Sequence, residues 1–164
     1  MHSAPRFENK LCTPADLPAR LASLARPRVF TNGCFDLLHR GHVTYLAQAR
    51  DLGACLIVAV NDDESVRRLN KAPDRPLNPL ADRMAVLAAL ESVDLVTWFC
   101  EPTPLSLIEL IRPDVLVKGG DWAVEKIVGA DRVLARGGRV HSIPFQFDRS
   151  TTALVAQIRG ALSR

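Results

Sequence analysis

Short apolar runs alternate with helical stretches along this chain of 164 residues, and that alternation limits the folds open to it. Residues 56–60 are apolar at every position, which is typical of a strand covered on both faces. Strands that alternate with helices predict a parallel sheet between two helical layers. We therefore expect an α/β fold with a Rossmann-like, doubly wound, five-stranded parallel sheet. Motif residues follow both the first and the fourth strand, which predicts that these two strands are adjacent, in the order 3-2-1-4-5.

The bounds of the elements follow from periodicity and from the positions of proline and glycine. The predicted strands cover residues 29–31, 56–60, 95–99, 115–117 and 140–143. The predicted helices cover residues 16–25, 41–52, 63–69, 79–90, 104–111, 130–135 and 150–162. Asn78 and Pro79 are expected to be the N-cap and the first residue of the fourth helix. Residues 1–164 are expected to form one domain, with residues 1–26 as a helical N-terminal extension.

The composition excludes several classes of function. A net charge of +3 is too small for a nucleic-acid coat, but it suits a protein that gathers small anions. The four cysteines are widely and irregularly spaced without a CxxC pair, which argues against a zinc ribbon or a disulfide framework. No apolar run approaches the roughly 18 residues that span a membrane, and the polar N-terminus does not resemble a signal peptide. We expect a cytoplasmic protein without nucleic-acid or membrane partners.

The strongest motif is TNGCFDLLHRGH at residues 31–42, directly after the first predicted strand. Gly33 permits a sharp turn, and Gly41 lets a phosphate approach the main chain where a helix begins. His39 and His42 project from one side of that helix start, where imidazoles can donate hydrogen bonds to oxygens whose negative charge rises in a transition state. The alternatives are a structural pair or two metal ligands. A metal is disfavoured because no third histidine or acid stands at ligand spacing.

Two further motifs lie at predicted element ends. Residues 150–152, Ser-Thr-Thr, begin the last helix, where hydroxyls and free amides can hold the outer phosphates of a nucleotide; the alternative is a plain N-cap at Ser150. Lys118 directly follows a buried strand, where its charge needs a partner. Asp121, after two glycines, could accept hydrogen bonds from sugar hydroxyls, although a solvated Gly-Gly turn would also explain this segment.

A cluster of basic residues follows the second strand, between residues 67 and 83. A solvated helix face is the usual explanation of such a run. Cations in this position would also offset the repulsion between the phosphates of a nucleotide and a second phosphorylated substrate. The members of the cluster are Arg67, Arg68, Lys71, Arg75 and Arg83.

Residues 31–42, with Val60-Asn61-Asp62 after the second strand and Lys118-Gly119-Gly120-Asp121 after the fourth, resemble the HxGH nucleotidyltransferase superfamily and, within it, the heptose-phosphate branch. The resemblance extends over roughly residues 21–159. It implies an adenylyltransferase that joins ATP to heptose 1-phosphate, releases pyrophosphate, uses Mg²⁺ to bridge phosphates, and forms a homodimer. Many such relatives carry a fused sugar kinase, for which 164 residues leave no room; a separate kinase and phosphatase would supply the substrate, and the product would feed lipopolysaccharide core synthesis.

The resemblance also implies the roles of individual residues. His39, His42 and Lys71 are the expected catalytic residues. The expected nucleotide-binding residues are Thr31, Asn32, Gly33, Cys34, Phe35, Gly41, Lys118, Gly119, Asp121, Ser150, Thr151 and Thr152. The expected sugar-phosphate residues are Asp36, Asn61, Arg75 and Trp122, and Asp36 could instead cap its loop. One position departs from the pattern: Asp148 stands where many relatives have glycine.

Three other functions compete with this interpretation. A cytidylyltransferase for glycerol phosphate or a similar alcohol phosphate fits the same motifs, since residue chemistry alone does not separate adenine from cytosine. A nicotinamide-dependent oxidoreductase is disfavoured because no GxGxxG follows the first strand. A nucleotide sensor without turnover is disfavoured because the HxGH and Ser-Thr-Thr motifs are both intact.

Overall fold

A parallel five-stranded sheet forms the centre of the structure, a computed structural model that describes residues 4–69, 74–147 and 151–162. Its strands are β1 (Arg28–Gly33), β2 (Cys55–Asn61), β3 (Leu95–Phe99), β4 (Val115–Gly119) and β5 (Arg139–Ile143). The strand order is β3-β2-β1-β4-β5, and every neighbouring pair is parallel. The predicted fold class and strand order are confirmed.

The helices that connect the strands lie close to their predicted positions. They are α1 (Leu17–Ala22), α2 (Arg40–Arg50), α3 (Asp63–Arg68), α4 (Leu80–Ala88), α5 (Leu105–Ile111), α6 (Ala130–Ala135) and α7 (Thr151–Leu162). Short 3₁₀ turns cover Arg6–Lys10 and Val124–Lys126. Within the described ranges, no helix has the length and apolar character needed to cross a membrane.

The two faces of the sheet are covered by different helices because successive residues of a strand point to opposite sides. Phe30 and Ile57 belong to one core, together with apolar residues of α1, α5 and α6. Val29 and Val58 belong to the other core, together with apolar residues of α2 and α4. All seven residues of β2 are buried, as its continuous apolar run predicts.

The N-terminal extension packs along the outer edge of β3. Leu11 forms a parallel bridge with Val96, and the backbone N–H of Cys12 donates to the carbonyl of Val96 at 2.9 Å. Leu17 and Leu21 of α1 are buried in the core beside α5. The extension therefore covers part of an edge strand that would otherwise expose backbone groups.

The predicted capping role of Asn78 is wrong. The N-cap of α4 is Pro79, whose backbone is extended, and the helix begins at Leu80. The side-chain amide of Asn78 instead donates to the backbone carbonyl of Asp36 at 2.6 Å. Asn78 does not act as a cap because this long-range hydrogen bond holds it against the first motif.

The crevice in the sheet opens between β1 and β4. Their paired register covers Val29–Val115 and Phe30–Leu116, whereas β1 pairs with β2 along its whole length. The last residues of β1 and β4 continue beyond this paired register. The expected adjacency of the two strands is thereby confirmed, and the motif residues that follow them meet at one edge of the sheet.

Replacement of Gly53 by alanine is expected to destabilise the fold, because a Cβ at this position would lie 2.5 Å from the carbonyl oxygen of Pro27 and 2.7 Å from Cγ2 of Val29. The expected loss is about 1–3 kcal/mol of unfolding free energy, as for other overpacked sites. Chemical denaturation measures it. Gly160→Ala is the matched control: a Cβ there meets no atom within 4 Å, and alanine favours the exposed helix α7. Equal stability of the two variants would contradict the prediction.

Candidate nucleotide-binding site

A cavity of about 250 Å³ lies at the carboxyl ends of β1 and β4. It brings together residues of the first motif, the Lys118 motif and the start of α7, as the sequence predicts for the edge of a doubly wound sheet. Its lining consists of Asn32, Gly33, Cys34, Phe35, Asp36, His42, Tyr45, Arg75, Lys118, Gly119, Trp122, Phe145 and Thr151.

The two histidines of the first motif face each other at the start of α2. His39 is the extended N-cap residue and His42 lies in the first turn, with ring centroids 3.9 Å apart. Gly41 makes this arrangement possible, since a Cβ there would stand 3.1 Å from the His39 ring. The sequence singled out Gly41 for close approach of a phosphate; in the structure it also gives room to an imidazole.

An aromatic cluster surrounds the histidine pair. Phe145, from the loop after β5, presents its ring to His39, His42 and Tyr45 with centroid distances of 6.2, 5.8 and 5.4 Å. Phe35, with a positive φ of 48°, lies edge-on to His42 at 5.5 Å. One side of the site is therefore apolar.

Sequence reasoning missed Tyr45 and Phe145. Tyr45 carries a signal, because it follows His42 by three residues and so shares its helix face. Phe145 carries little signal, because a single aromatic in a loop does not reveal what it packs against.

Burial changes the acid–base behaviour of this cluster. Desolvation lowers the pKa of His39, and its Nδ1 is buried without a hydrogen-bond partner among the described residues. Burial also raises the pKa of Tyr45. At neutral pH His39 therefore favours the neutral imidazole, which keeps one N–H donor.

Thr31 lies beneath the site rather than in its lining. The residue is fully buried and does not line the cavity. Its predicted contact with a nucleotide remains a prediction.

Lys118 provides a positive charge at the opening between the two strands. Its Nζ donates to the backbone carbonyl of Asn32 at 3.3 Å and to the Asn32 side-chain oxygen at 3.4 Å. These bonds bridge β4 to β1 beyond their paired register. A lysine is tolerated at the end of a buried strand because polar partners meet it there.

Trp122 stands half-exposed in the wall of the cavity, on the side of β4. Its Nε1 donates to the carbonyl of Gly119 at 3.2 Å, and its backbone N–H donates to Ser142 Oγ at 2.9 Å. The neighbouring Asp121 is exposed and does not line the cavity. The indole is thus fixed beside the cavity, while the predicted sugar contact of Asp121 has no support from its position.

Asp36 anchors the segment that leads into α4. Its buried carboxylate accepts hydrogen bonds from the backbone N–H groups of Leu77 (2.9 and 3.0 Å) and Asn78 (2.9 Å) and forms an ion pair with Nε of Arg75. Of the two roles left open by the sequence, loop capping is the one these contacts support. Because the pair is buried, each charge depends on the other for compensation.

Arg83 strengthens the same junction. It is almost fully buried, it donates to the carbonyl of Cys34 at 2.6 Å and to that of Asn78 at 3.0 Å, and it pairs with Asp63 at 2.6 Å. A solvated face therefore does not explain this member of the basic cluster. Arg67, by contrast, pairs with Glu64 on the exposed side of α3.

Asn61 lies behind the cavity wall. It is buried, and its Nδ2 donates to Ser65 Oγ at 2.9 Å. Its Oδ1 accepts a hydrogen bond from the Cys34 thiol at 3.9 Å. It therefore supports Cys34, which does line the cavity. Direct contact between Asn61 and a substrate remains a prediction.

The remaining predicted residues concern the basic loop and the last helix. Lys71 and Ser150, like the unusual Asp148, lie outside the described residues. Thr151 lines the cavity and donates to the carbonyl of Leu37 at 3.3 Å. Thr152 is exposed and does not line the cavity.

Truncation of Phe145 to alanine is expected to raise the pKa of His39 toward its ordinary value of about 6.5, because water would then reach the imidazole. NMR titration of the histidine ring protons measures the change. Phe147→Ala is the control, since that ring packs on Arg40 instead of on the histidines. An unchanged His39 titration in a folded Phe145→Ala variant would show that this ring does not desolvate the pair.

Comparison with known proteins finds relatives that match most of this chain. The family model described as Cytidylyltransferase-like matches residues 30–153. D-beta-D-heptose 1-phosphate adenylyltransferase of Bordetella bronchiseptica is 58% identical over 159 residues, which cover 96% of this chain and 98% of that protein. The bifunctional protein HldE of Hahella chejuensis is 57% identical over 131 residues, which cover 80% of this chain but 27% of the bifunctional protein.

Solved structures with the same fold include more distant proteins. The lipopolysaccharide core biosynthesis protein from Thermoplasma volcanium has a TM-score of 0.58 at 29% identity and covers 74% of this chain and 98% of its own. Pantoate-beta-alanine ligase from Francisella tularensis has a TM-score of 0.59 at 16% identity over 86% of this chain and 68% of its own, which is a likeness of fold alone. From the family match and the Bordetella relative, we conclude that the chain belongs to the cytidylyltransferase-like family.

Proposed function

We propose that this protein is an adenylyltransferase that converts ATP and D-glycero-β-D-manno-heptose 1-phosphate to ADP-heptose and pyrophosphate. The observation that carries the proposal is the pair of histidines at the start of α2. His42 lines one cavity with Lys118 at the carboxyl ends of β1 and β4, and His39 packs against His42. The choice of ATP and of a heptose phosphate rests on the relative named for that activity, which is 58% identical over almost the whole chain.

The reaction needs no protein nucleophile. An oxygen of the sugar phosphate, already ionised at neutral pH, attacks the α-phosphorus of ATP. A new phosphorus–oxygen bond forms, the bond from the α-phosphorus to the bridging oxygen of the β-phosphate breaks, and pyrophosphate leaves with the bonding electrons. The protein therefore contributes positioning and stabilisation of negative charge.

The histidine pair is placed to act on the α-phosphate. N–H donors from His39 and His42 would bind its non-bridging oxygens as their charge rises, and the free amides in the first turn of α2 would add to the same field. Neutral His39 retains one donor for this purpose. The apolar rings of Phe35 and Phe145 would exclude water from the reacting groups.

Positive charge on the phosphates would come from several elements. Lys118 and Arg75 line the cavity from the side of β4 and from the segment that Asp36 anchors. We assign the departing pyrophosphate to Lys71 and the Ser150–Thr152 motif, on the strength of the sequence resemblance.

Mg²⁺ is proposed as an ion that arrives with the nucleotide. The described residues contain no group of three or more His, Cys, Asp or Glu side chains that could hold a metal. Asp36, a carboxylate in the cavity lining, is already engaged by Arg75 and two backbone amides. These residues do not form a protein cage for the ion, whereas Mg²⁺ commonly binds through substrate phosphates, whose charge it would neutralise.

The biological setting follows from the same proposal. We place the protein in the cytoplasm as a homodimer, and its product would supply the heptose of lipopolysaccharide core.

Pyrophosphate release is expected only when ATP and heptose 1-phosphate are both present, because the attacking group is the sugar phosphate. A coupled pyrophosphate assay with each substrate omitted in turn measures this. Release with CTP and glycerol 3-phosphate instead would establish the cytidylyltransferase alternative. Nucleotide binding without any release across a panel of sugar phosphates would establish a sensor.

His42→Ala is expected to lower kcat by about a hundredfold or more, roughly 3 kcal/mol, because it removes a fixed donor to developing charge. ATP affinity should change less, and the fold should persist because the side chain borders a cavity. Steady-state rates, a nucleotide titration and a thermal melt on one preparation separate these effects. His141→Ala is the control, since His141 lies in β5 and outside the cavity lining. Near-wild-type kcat for folded His42→Ala would remove His42 from the catalytic residues.

A further inference from the structure

A second and larger cavity lies at the opposite edge of the sheet, where β1, β4 and β5 begin. Its volume is about 600 Å³, compared with about 250 Å³ for the candidate active site. Four arginines line it: Arg26, Arg112, Arg136 and Arg139. Asp114 is the one acidic residue in this lining. The proposed reaction uses none of these residues.

The carboxylate of Asp114 is already engaged within the protein. One oxygen pairs with Arg26 at 2.6 Å, and the other accepts the backbone N–H of Arg28 at 2.7 Å. Arg139 donates to the carbonyl of Leu52 at 3.1 Å. Among the described residues, no carboxylate forms an ion pair with Arg139. The cavity therefore keeps an excess of positive charge.

Capping of helix ends explains only part of this arginine cluster. Helices α5 and α6 both end beside the cavity, and arginines often bind the last carbonyls of a helix. At the end of α5, Arg26 Nη2 donates to the carbonyl of the C-cap residue Arg112 at 3.4 Å. At the end of α6, the backbone N–H of Gly137 donates to Leu134 O at 2.9 Å instead. Arg112 and Arg139 pair with no carboxylate among the described residues, so both can offer donors to another acceptor.

Arg136 carries a donor that calls for such an acceptor. Its Nη1 donates to Glu109 at 3.2 Å, but its Nη2 is buried without a hydrogen-bond partner in the described parts of the chain. A buried donor without a partner is destabilising and is usually satisfied in native structures. Because Arg136 lines the adjoining cavity, a small rotation of its side chain would bring this donor to a ligand oxygen there.

We propose that this cavity binds a small phosphorylated anion at a site separate from the candidate active site. Guanidinium groups present paired N–H donors that match phosphate oxygens, and the cavity volume lies in the range of sites for small molecules. Occupancy stabilises the folded protein by mass action, because the site is built from segments that meet only in the folded chain. Binding at this cavity does not depend on which nucleotide or sugar phosphate reacts at the candidate active site.

Two-dimensional ¹H–¹⁵N NMR tests the proposal on the whole chain, with inorganic pyrophosphate and inorganic phosphate as separate probes. The amides of Gly137 and Gly138 report on the arginine cavity, and those of Gly33 and Gly119 report on the candidate active site. We expect saturable shifts at Gly137 and Gly138 with a dissociation constant of about 1 mM or tighter for at least one probe. The midpoint temperature of thermal unfolding should rise with the same dependence on probe concentration.

Charge-removing variants locate the binding. Arg112→Gln and Arg136→Gln should each weaken binding at Gly137 and Gly138 about tenfold. Arg132→Gln is the matched control, because it also removes one positive charge. Arg132 pairs with Glu109, as Arg136 does, but it does not line the cavity. The spectra themselves report whether each variant is folded. Shifts confined to Gly33 and Gly119, or an equal loss in the Arg132 variant, would overturn the proposal.

Discussion

The placement of β4 beside β1 is the constraint on which the rest of the structure depends. The chain places β2 and β3 on one side of β1 and then returns to place β4 and β5 on the other. The paired register between β1 and β4 stops at Phe30 and Leu116, and Lys118 bridges the two strands beyond that point through Asn32. A cleft at this edge is therefore a consequence of backbone topology, and the motifs decide only what the cleft can bind.

The strands could be predicted from local patterns, and the adjacency of β1 and β4, with the location of the cavity, from the motif residues at the ends of both strands. The buried run in β2 and the glycines of the first motif carry their information within a few residues. The junction between Asp36 and residues 75–78 could not be predicted, since it joins parts of the chain about forty residues apart. The same long-range contact explains the wrong prediction at Asn78, which satisfied local capping rules but is drawn to the Asp36 carbonyl.

The candidate site combines two environments that favour different groups. Phe35, Tyr45 and Phe145 make one wall apolar, whereas Lys118 and Arg75 introduce positive charge. A hydrogen-bond donor acts more strongly on an anion when water is excluded, because the local dielectric constant is lower. The aromatic wall thus strengthens the hydrogen bonds that the histidines can donate to an anion. The same burial lowers the pKa of His39.

The buried pair of Asp36 and Arg75 also restricts how this protein can diverge in evolution. Loss of either member leaves the other charge buried and uncompensated, which is more damaging than replacement of both by apolar residues. A single substitution that removes either charge is therefore expected to be destabilising. A change at one position favours a compensating change at the other, whatever substrate the surrounding cavity comes to accept.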